Sequence, residues 1–392
     1  MPSLRTCRQY AAVALTAAVV VACAKDRALP SKQDSGRDIG FGTTDATSRA
    51  AVTTSLRKIG VFCYSHTGSF GDDLPARVPD YFLNQAVADI PGNGTWTYNG
   101  ITRYWPTNGT TNLSFFAYAP YVDVENTFTL YPASATDAGA PTITYNVPDS
   151  VLGQIDLMWN NRLDMTYATS NNGQVEFTMD HALTRIDVQV KLDDAEQGRP
   201  FVVQFNKLTI QNVVGGGTLD LSKGPSDADL WTTTRPADDS GWASYTITPG
   251  GHGGMADVAF DARNTAPAAG DTDPWNFNSL LKAGQYFMLI PQDISDQGDG
   301  LTPAQLVVDY TYTNVLSGDV VDQTDTLALA RPMLSTWLPG MGITYQLTVS
   351  LMSGTAIEFD IEGFVHGQPW IPANDPNGLP GTPGGPISGT VN

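Results

Sequence analysis

Cysteine and histidine carry most of the chemistry a chain can offer near neutral pH. This one of 392 residues is sparing with both: Cys7, Cys23 and Cys63, and His66, His181, His252 and His366. The histidines are scattered without metal-ligand spacing, and His181, beside Asp180 at a strand end, reads as a structural histidine. Residues 293–300 (DISDQGDG) are acidic enough to suggest calcium. They lack the Asp-x-Asp-x-Asp-Gly order and the closing glutamate of a calcium loop, and so read as a solvated loop. Serine, histidine and aspartate all occur, but no Gly-x-Ser-x-Gly elbow does. Cys63, inside the run 59–64 (IGVFCY), reads as a buried structural thiol rather than a reactive one. Trp231, Trp242 and Trp275 fall in loop-like stretches, where they either stack on sugars or pack beneath long loops. No catalytic constellation, metal set or cofactor motif emerges, and the expected function is not enzymatic.

The remaining candidate is Cys23. Arg5 and Arg8 precede an apolar run from Tyr10 to Ala22. At about thirteen residues it has the length of a signal-peptide core and is short for a membrane span. The cysteine stands where cleavage is due, in Val20-Val21-Ala22-Cys23, which resembles the lipobox of bacterial lipoproteins. That resemblance implies loss of residues 1–22 and acylation of Cys23 as the new N-terminus. Several acyl chains on one cysteine anchor a protein stably. The plainer alternative is an ordinary secretory signal cut near Ala22. With Cys7 removed and Cys23 lipidated, Cys63 has no partner for an internal disulfide.

Composition bounds the elements behind these residues. The net charge is −19; residues 1–22 hold two arginines and no acid, so their loss makes it −21. Such a surface repels nucleic acid and favours solubility. It has no attraction for an anionic membrane, so membrane contact needs the anchor. Thirty-eight glycines, 26 prolines, 10% aromatic and 16% charged residues, with few helical patterns, favour an all-β, turn-rich chain. The length suffices for two or three domains with full cores.

Along the chain, residues 24–38 read as a polar tether. Ile39, Phe41 and Thr43 alternate as one short strand, weakened by Gly40 and Gly42, which suits a segment held in a groove. A polar patch with Arg49 follows. Strands are predicted at 59–65, 81–87, 113–121, 128–131, 143–147 and 155–159, with a hairpin turn at Asn99-Gly100 between Trp96, Tyr98 and Tyr104, Trp105. Spacing of roughly ten residues suggests a sandwich. A second half starts near Gln174, where Val175, Phe177 and Met179 alternate. Strands follow at 186–192, 201–213, 245–247, 258–260, 286–290, 306–312, 327–329, 345–351 and 357–365, with Gly215-Gly216-Gly217 as a turn. Residues 371–392 are Pro/Gly-rich and not expected to fold alone.

These pieces, in this order, resemble the fimbrillins, the Mfa-like subunits of the fimbriae (type V pili) of Gram-negative anaerobes. The resemblance is carried by Cys23, residues 56–64 (LRKIGVFCY), Tyr104-Trp105-Pro106, residues 113–121 (LSFFAYAPY), 175–191 (VEFTMDHALTRIDVQVK) and 286–292 (YFMLIPQ), and Trp370. It implies two transthyretin-like β-sandwich domains in tandem after a lipoprotein signal peptide. The segments would be a signal (1–22), a lipidated tether with a removable strand (23–50), sandwiches at 51–173 and 174–370, and a tail (371–392). It implies a structural or accessory fimbrial subunit that supports adhesion, lipid-anchored at the outer membrane as a precursor and displayed on the cell surface. The implied partners are other fimbrial subunits and an arginine-specific protease. In the family, that protease removes an N-terminal strand, and a strand from another subunit fills the vacated groove. Carried over, the displaced strand is Ile39, Phe41 and Thr43, and the cut falls between Arg49 and Ala50. Arg37 and Arg57 are rivals; a cut at Arg37 leaves the strand in place, and Arg57 lies close to the first core strand. The donor is either the strand of Ile357, Phe359 and Ile361 or the tail, with Ile387 and Val391. The other reading is a surface lipoprotein that binds a host glycan or protein and never polymerises.

Overall fold

Runs rich in β-branched and aromatic residues, broken by Gly, Pro, Asn and Asp, become strands throughout this chain. The structure, a computed structural model, describes residues 37–43, 57–90, 95–121, 128–250, 254–267, 272–296, 298, 300–332, 334–352 and 358–369. The first half holds β1 (Gly40–Thr43), β2 (Lys58–His66), β3 (Phe82–Ile90), β4 (Thr95–Tyr98), β5 (Asn112–Ala119), β6 (Phe128–Tyr131), β7 (Thr142–Asn146) and β8 (Met158–Met165). Then come β9 (Gln174–Phe177), β10 (Asp180–His181), β11 (Thr184–Leu192), β12 (Phe201–Val213), β13 (Gly216–Asp220), β14 (Trp231–Thr233), β15 (Ala243–Ile247) and β16 (Ala259–Asp261). The last are β17 (Asn278–Ser279), β18 (Phe287–Leu289), β19 (Gln305–Asn314), β20 (Val320–Ala328), β21 (Met341–Met352) and β22 (Glu358–Pro369). Among the described residues helix is confined to short 3-10 turns, and none is long and apolar enough to cross a membrane.

The first sheet runs β10-β8-β5-β2-β3-β4-β1-β9. Its last strand, β9, leads after two residues into β10, which pairs with β8 at the opposite end. The sheet therefore curls until its two ends are consecutive in the chain. At the seam, the Arg162 guanidinium donates to the Glu176 carbonyl at 2.6 Å. Curling gives the sheet an inside, and that inside is its own apolar cluster: Ile39, Phe41, Ile59, Val61, Cys63, Phe82, Trp105, Phe115, Val175 and Phe177 are among its members. The other face of β2 and β5, with Phe62, Tyr64, Phe116 and Tyr118, joins the larger core. Both faces of these two strands are covered, which explains why they read as continuous apolar runs rather than as alternation.

On that outer face lies the sheet β14-β13-β7-β6, and the indole N–H of Trp159 on β8 reaches the Lys223 carbonyl at 3.2 Å. Farther on, β17-β11-β21-β22 and β15-β12-β19-β20 face each other, with Ile186, Val188, Val190, Val203, Phe205 and Ile210 buried in the same continuous core. The all-β sandwich class expected from composition is what forms.

Several details differ from expectation. The anticipated boundary between 173 and 174 does not coincide with a break in pairing: β9 and β10 complete the first sheet, while β13 and β14 extend the sheet begun by β6 and β7. Alternating residues fix which face is apolar but not which distant strand they join. Gly216 and Gly217 belong to β13 rather than to a turn. A Cβ on Gly216 would stand 3.0 Å from the Tyr145 carbonyl, so glycine there lets two backbones meet. No hairpin forms across Asn99-Gly100, because β4 pairs with β3 and β1 instead.

Candidate functional site

β1 is four residues long, and two of them are glycine, so little in its own sequence makes it a strand. Its neighbours do. It lies antiparallel to β4, with Phe41 opposite Trp96, and parallel to β9 over four positions from Gly40–Gln174 to Thr43–Phe177. The lead-in is tied as well. Ile39 N–H donates to the Arg103 carbonyl at 2.9 Å, Gly40 N–H to the Gly173 carbonyl at 3.0 Å, and Trp105 N–H to the Arg37 carbonyl at 2.9 Å. The Tyr98 hydroxyl donates to the Ile39 carbonyl at 3.3 Å, and Arg37 stacks over the Tyr167 ring.

Ile39 and Phe41 point into the small core, 2% and 3% exposed. The Phe41 ring meets Phe82, Tyr98 and Phe115 edge-on at 5.7, 5.6 and 6.1 Å, and stacks on Phe177 at 6.3 Å. Those four rings come from β3, β4, β5 and β9, so one side chain joins strands spread across the sheet. Burial of each side chain contributes about 1.5–3 kcal/mol, and each ring pair about 0.5–1.5 kcal/mol. Thr43 follows in register opposite Phe177.

The walls of this seat were not visible in the sequence as a group. Gly173, with φ of +90°, brings its carbonyl within reach of both Gly40 N–H and the Trp105 indole N–H, the latter at 2.9 Å. A Cβ there would come within 2.9 Å of the Asp38 carbonyl oxygen. Val175 and Phe177, read in sequence as the start of the second half, form one side. The Tyr104-Trp105-Pro106 motif was the one available signal, since Tyr104 bridges Asp38 and Trp105 is buried. Cys63 is buried in the floor, paired with Phe82 and Phe115, and burial pushes its thiol pKa up.

Cys23, Arg49, Ala50, Ile357, Ile387, Val391, Trp370 and His252 lie outside the described residues. Phe359 and Ile361 fall in β22, at the edge of its sheet beside β21. Of the rival arginines, Arg57 is already in the ladder: its carbonyl accepts Asp89 N–H at 2.9 Å and its guanidinium pairs with Asp89 at 3.2 Å. The indole N–H groups of Trp231 and Trp275 donate to the carbonyls of Ala182 and Asn264, which pins loops, and Trp242 lies under Arg235. In the acidic loop, Asp293 and Asp296 cap Ser295 and Gly298. Among the described residues no group of three metal-ligating side chains occurs. His181 donates to or accepts from buried Asp156 at 2.8 Å, a structural pair.

A serine, a histidine and an aspartate do meet at the end of β2. His66 Nε2 is 2.8 Å from Ser114 Oγ, and its Nδ1 is 3.2 Å from the Gly68 carbonyl. A carbonyl only accepts, so Nδ1 carries the proton and Nε2 accepts from the serine hydroxyl. Asp164 approaches the same Nε2, at 3.5 Å, whereas a nucleophile triad needs the carboxylate on the other nitrogen. Ser114 is also fully buried. The cluster therefore fastens β2, β5 and β8 together. Burial, and then the nearby Arg77, lower the His66 pKa from 6.5. Between the lowered value and 6.5 the unfolded chain binds a proton the folded one refuses, so this contribution is full above 6.5 and is lost as pH falls. Acidification from pH 7 to about pH 5 should lower the melting temperature, and His66→Gln should flatten that dependence. Equal slopes by calorimetry would contradict it.

Comparison with known proteins gives the following. The model of the fimbrillin-like family matches residues 44–363. A fimbrial protein from Bacteroides vulgatus superposes with a TM-score of 0.63 at 20% identity, covering 86% of this chain and all of its own. A putative cell adhesion protein from Bacteroides uniformis gives 0.46 at 18%, covering 86% of this chain and 100% of its own. The fimbrial anchor protein Mfa2 from Porphyromonas gingivalis gives 0.36 at 10%, covering 85% and 98%. No curated protein matched the sequence.

Proposed function

The chain belongs to the fimbrillin-like family, and from that premise we propose that it is a structural or accessory subunit of cell-surface fimbriae that assembles by strand exchange. Exported as a lipoprotein through Cys23, it is held at the outer membrane with β1 in place. An arginine-specific protease cuts between Arg49 and Ala50, β1 leaves, and an extended strand from another subunit takes its seat.

The observation that carries this reading is the setting of Phe41: a strand with almost no intrinsic strand propensity, paired on both sides and plugged into a core of its own. Its loss leaves an apolar groove between two unpaired edges, which strongly favours strand addition. The position of Arg49 suits the switch. It lies six residues beyond Thr43 and eight before Arg57, between two points fixed in the sheet. Before the cut, β1 is tethered and refills its groove at the millimolar effective concentration of a short linker. After it, β1 stays only by its own contacts.

Treatment of the precursor with an arginine-specific protease in the presence of the other fimbrial subunits should yield SDS-resistant ladders in which this chain begins at Ala50. The Arg49→Ala chain should stay monomeric. Ladders from uncut chains, or polymers of the Arg49→Ala chain, would refute the scheme, and glycan binding by the uncut monomer would favour the non-polymerising lipoprotein instead.

A further inference from the structure

The seat of β1 carries chemistry beyond a greasy slot, and it bears on which strand can replace β1. Inside, the pocket around Phe41 is aromatic on four sides, built by Phe82, Tyr98, Phe115 and Phe177. Outside, the alternate positions are Gly40 and Gly42. They stand in register with Gln174 and Glu176, whose side chains lean over them. A Cβ on Gly40 would come within 3.2 Å of Gln174 Cγ, and one on Gly42 within 3.5 Å of Glu176 Cγ and 3.6 Å of Gln174 Oε1. The Glu176 carboxylate is held in place by the Asn171 amide at 2.5 Å. It therefore faces whatever residue the occupant places at the position of Gly42.

Resting on the strand-exchange reading above, we propose that the groove is selective. It takes a strand from a different subunit type, with an aromatic residue at the place of Phe41 and small, uncharged residues on both sides of it. The aromatic fills a volume that an aliphatic side chain leaves partly empty. The small neighbours avoid Gln174, and an acid beside the aromatic would set a carboxylate directly across from Glu176, a destabilising cross-strand pair.

The rule disfavours a second copy of this chain as donor. In β22 the residues alternate Glu358, Phe359, Asp360, Ile361, Glu362. Phe359 seated in the pocket would carry acids on both flanks, whichever way the strand ran. Phe364, flanked by Gly363 and Val365, would set the branched Val365 against Gln174 or Glu176 and bring Glu362 or His366 to the buried place of Ile39. The tail 371–392 offers Ile387 and Val391 but no aromatic residue. Neither segment reproduces the pattern Ile-Gly-Phe-Gly that the groove holds in the intact chain, which favours a partner subunit as its source.

The test uses the full chain cleaved with an arginine-specific protease and diluted to free its N-terminal fragment. Binding is measured for a synthetic peptide of residues 36–48 and for the same peptide bearing F41A, G42E or G42K. The native peptide should bind, and F41A should weaken it about a thousandfold, the scale of a large-to-small change in a core. G42E should weaken it about fivefold more than G42K, with the gap closing at high salt. In the Glu176→Lys protein the order of G42E and G42K should invert, an outcome that a fold defect would not produce. Equal binding of all four peptides would overturn the selectivity and leave strand exchange standing. Failure of every peptide, the native one included, would overturn both.

Discussion

Phe41→Ala should destabilise β1 in the uncleaved protein by about 3–5 kcal/mol, the range for removing a buried phenylalanine ring. The ring is 3% exposed and touches partners from four strands. Those partners are anchored by their own ladders, so the hole cannot close by a small shift of one neighbour, and the cost falls toward the upper end. The effect has a characteristic form. β1 is short, only four residues long, so the chain can lose it without global unfolding. The result is earlier release of residues 37–43, seen as faster proteolysis ahead of β2 and faster amide exchange at Val175 and Phe177. Global denaturation followed by far-UV circular dichroism should show a smaller change, since the larger core does not include Phe41. Leu316→Ala, at a side chain 81% exposed, should change stability by less than about 0.5 kcal/mol and serves as the control. A Phe41→Ala protein that resembles this control in all three measurements would remove the plug from the scheme.

The strand pattern was readable wherever side-chain period and burial agree. β11 alternates buried and half-buried residues from Thr184 to Leu192, and the run 186–192 announced it. β2 and β5 were readable for the opposite reason, as unbroken apolar runs buried on both faces. β20 was seen only at its end. Val320–Ala328 is Asp-, Gln- and Thr-rich, and it becomes a strand because β19 offers nine register partners. β13 was missed because its glycines, needed for close backbone approach to β7, look like a turn.

The site divides in the same way. Ile39 and Phe41 could be picked out by alternation, and burial of both follows from the structure. Gly173, Arg103, Gln174 and Glu176 could not. They act through backbone carbonyls and register with a strand roughly 60 to 130 residues earlier in the chain, and nothing in local composition records such a pairing. Val175 and Phe177 were assigned to the second half because a strand's period does not say which sheet it completes.

Cys63 offers the most direct view of whether β1 is a removable plug. It is fully buried, and burial raises its thiol pKa, so the reactive thiolate is doubly suppressed. Its register partners Phe82 and Phe115 are two of the rings that hold Phe41, so the thiol lies beneath the plug. A cut at Arg49 also removes Cys7 and Cys23, leaving Cys63 as the one cysteine of the product. Its native-state alkylation rate should be measured in the precursor, in the cleaved and diluted monomer, and in assembled polymer, with the adduct located by mass spectrometry. The predicted result is slow labelling of the precursor, a rise on the order of a hundredfold after β1 is released, and slow labelling again once a new strand fills the groove. Labelling at one unchanged rate before and after release of the N-terminal segment would contradict it, because the core around Cys63 would then be complete without β1.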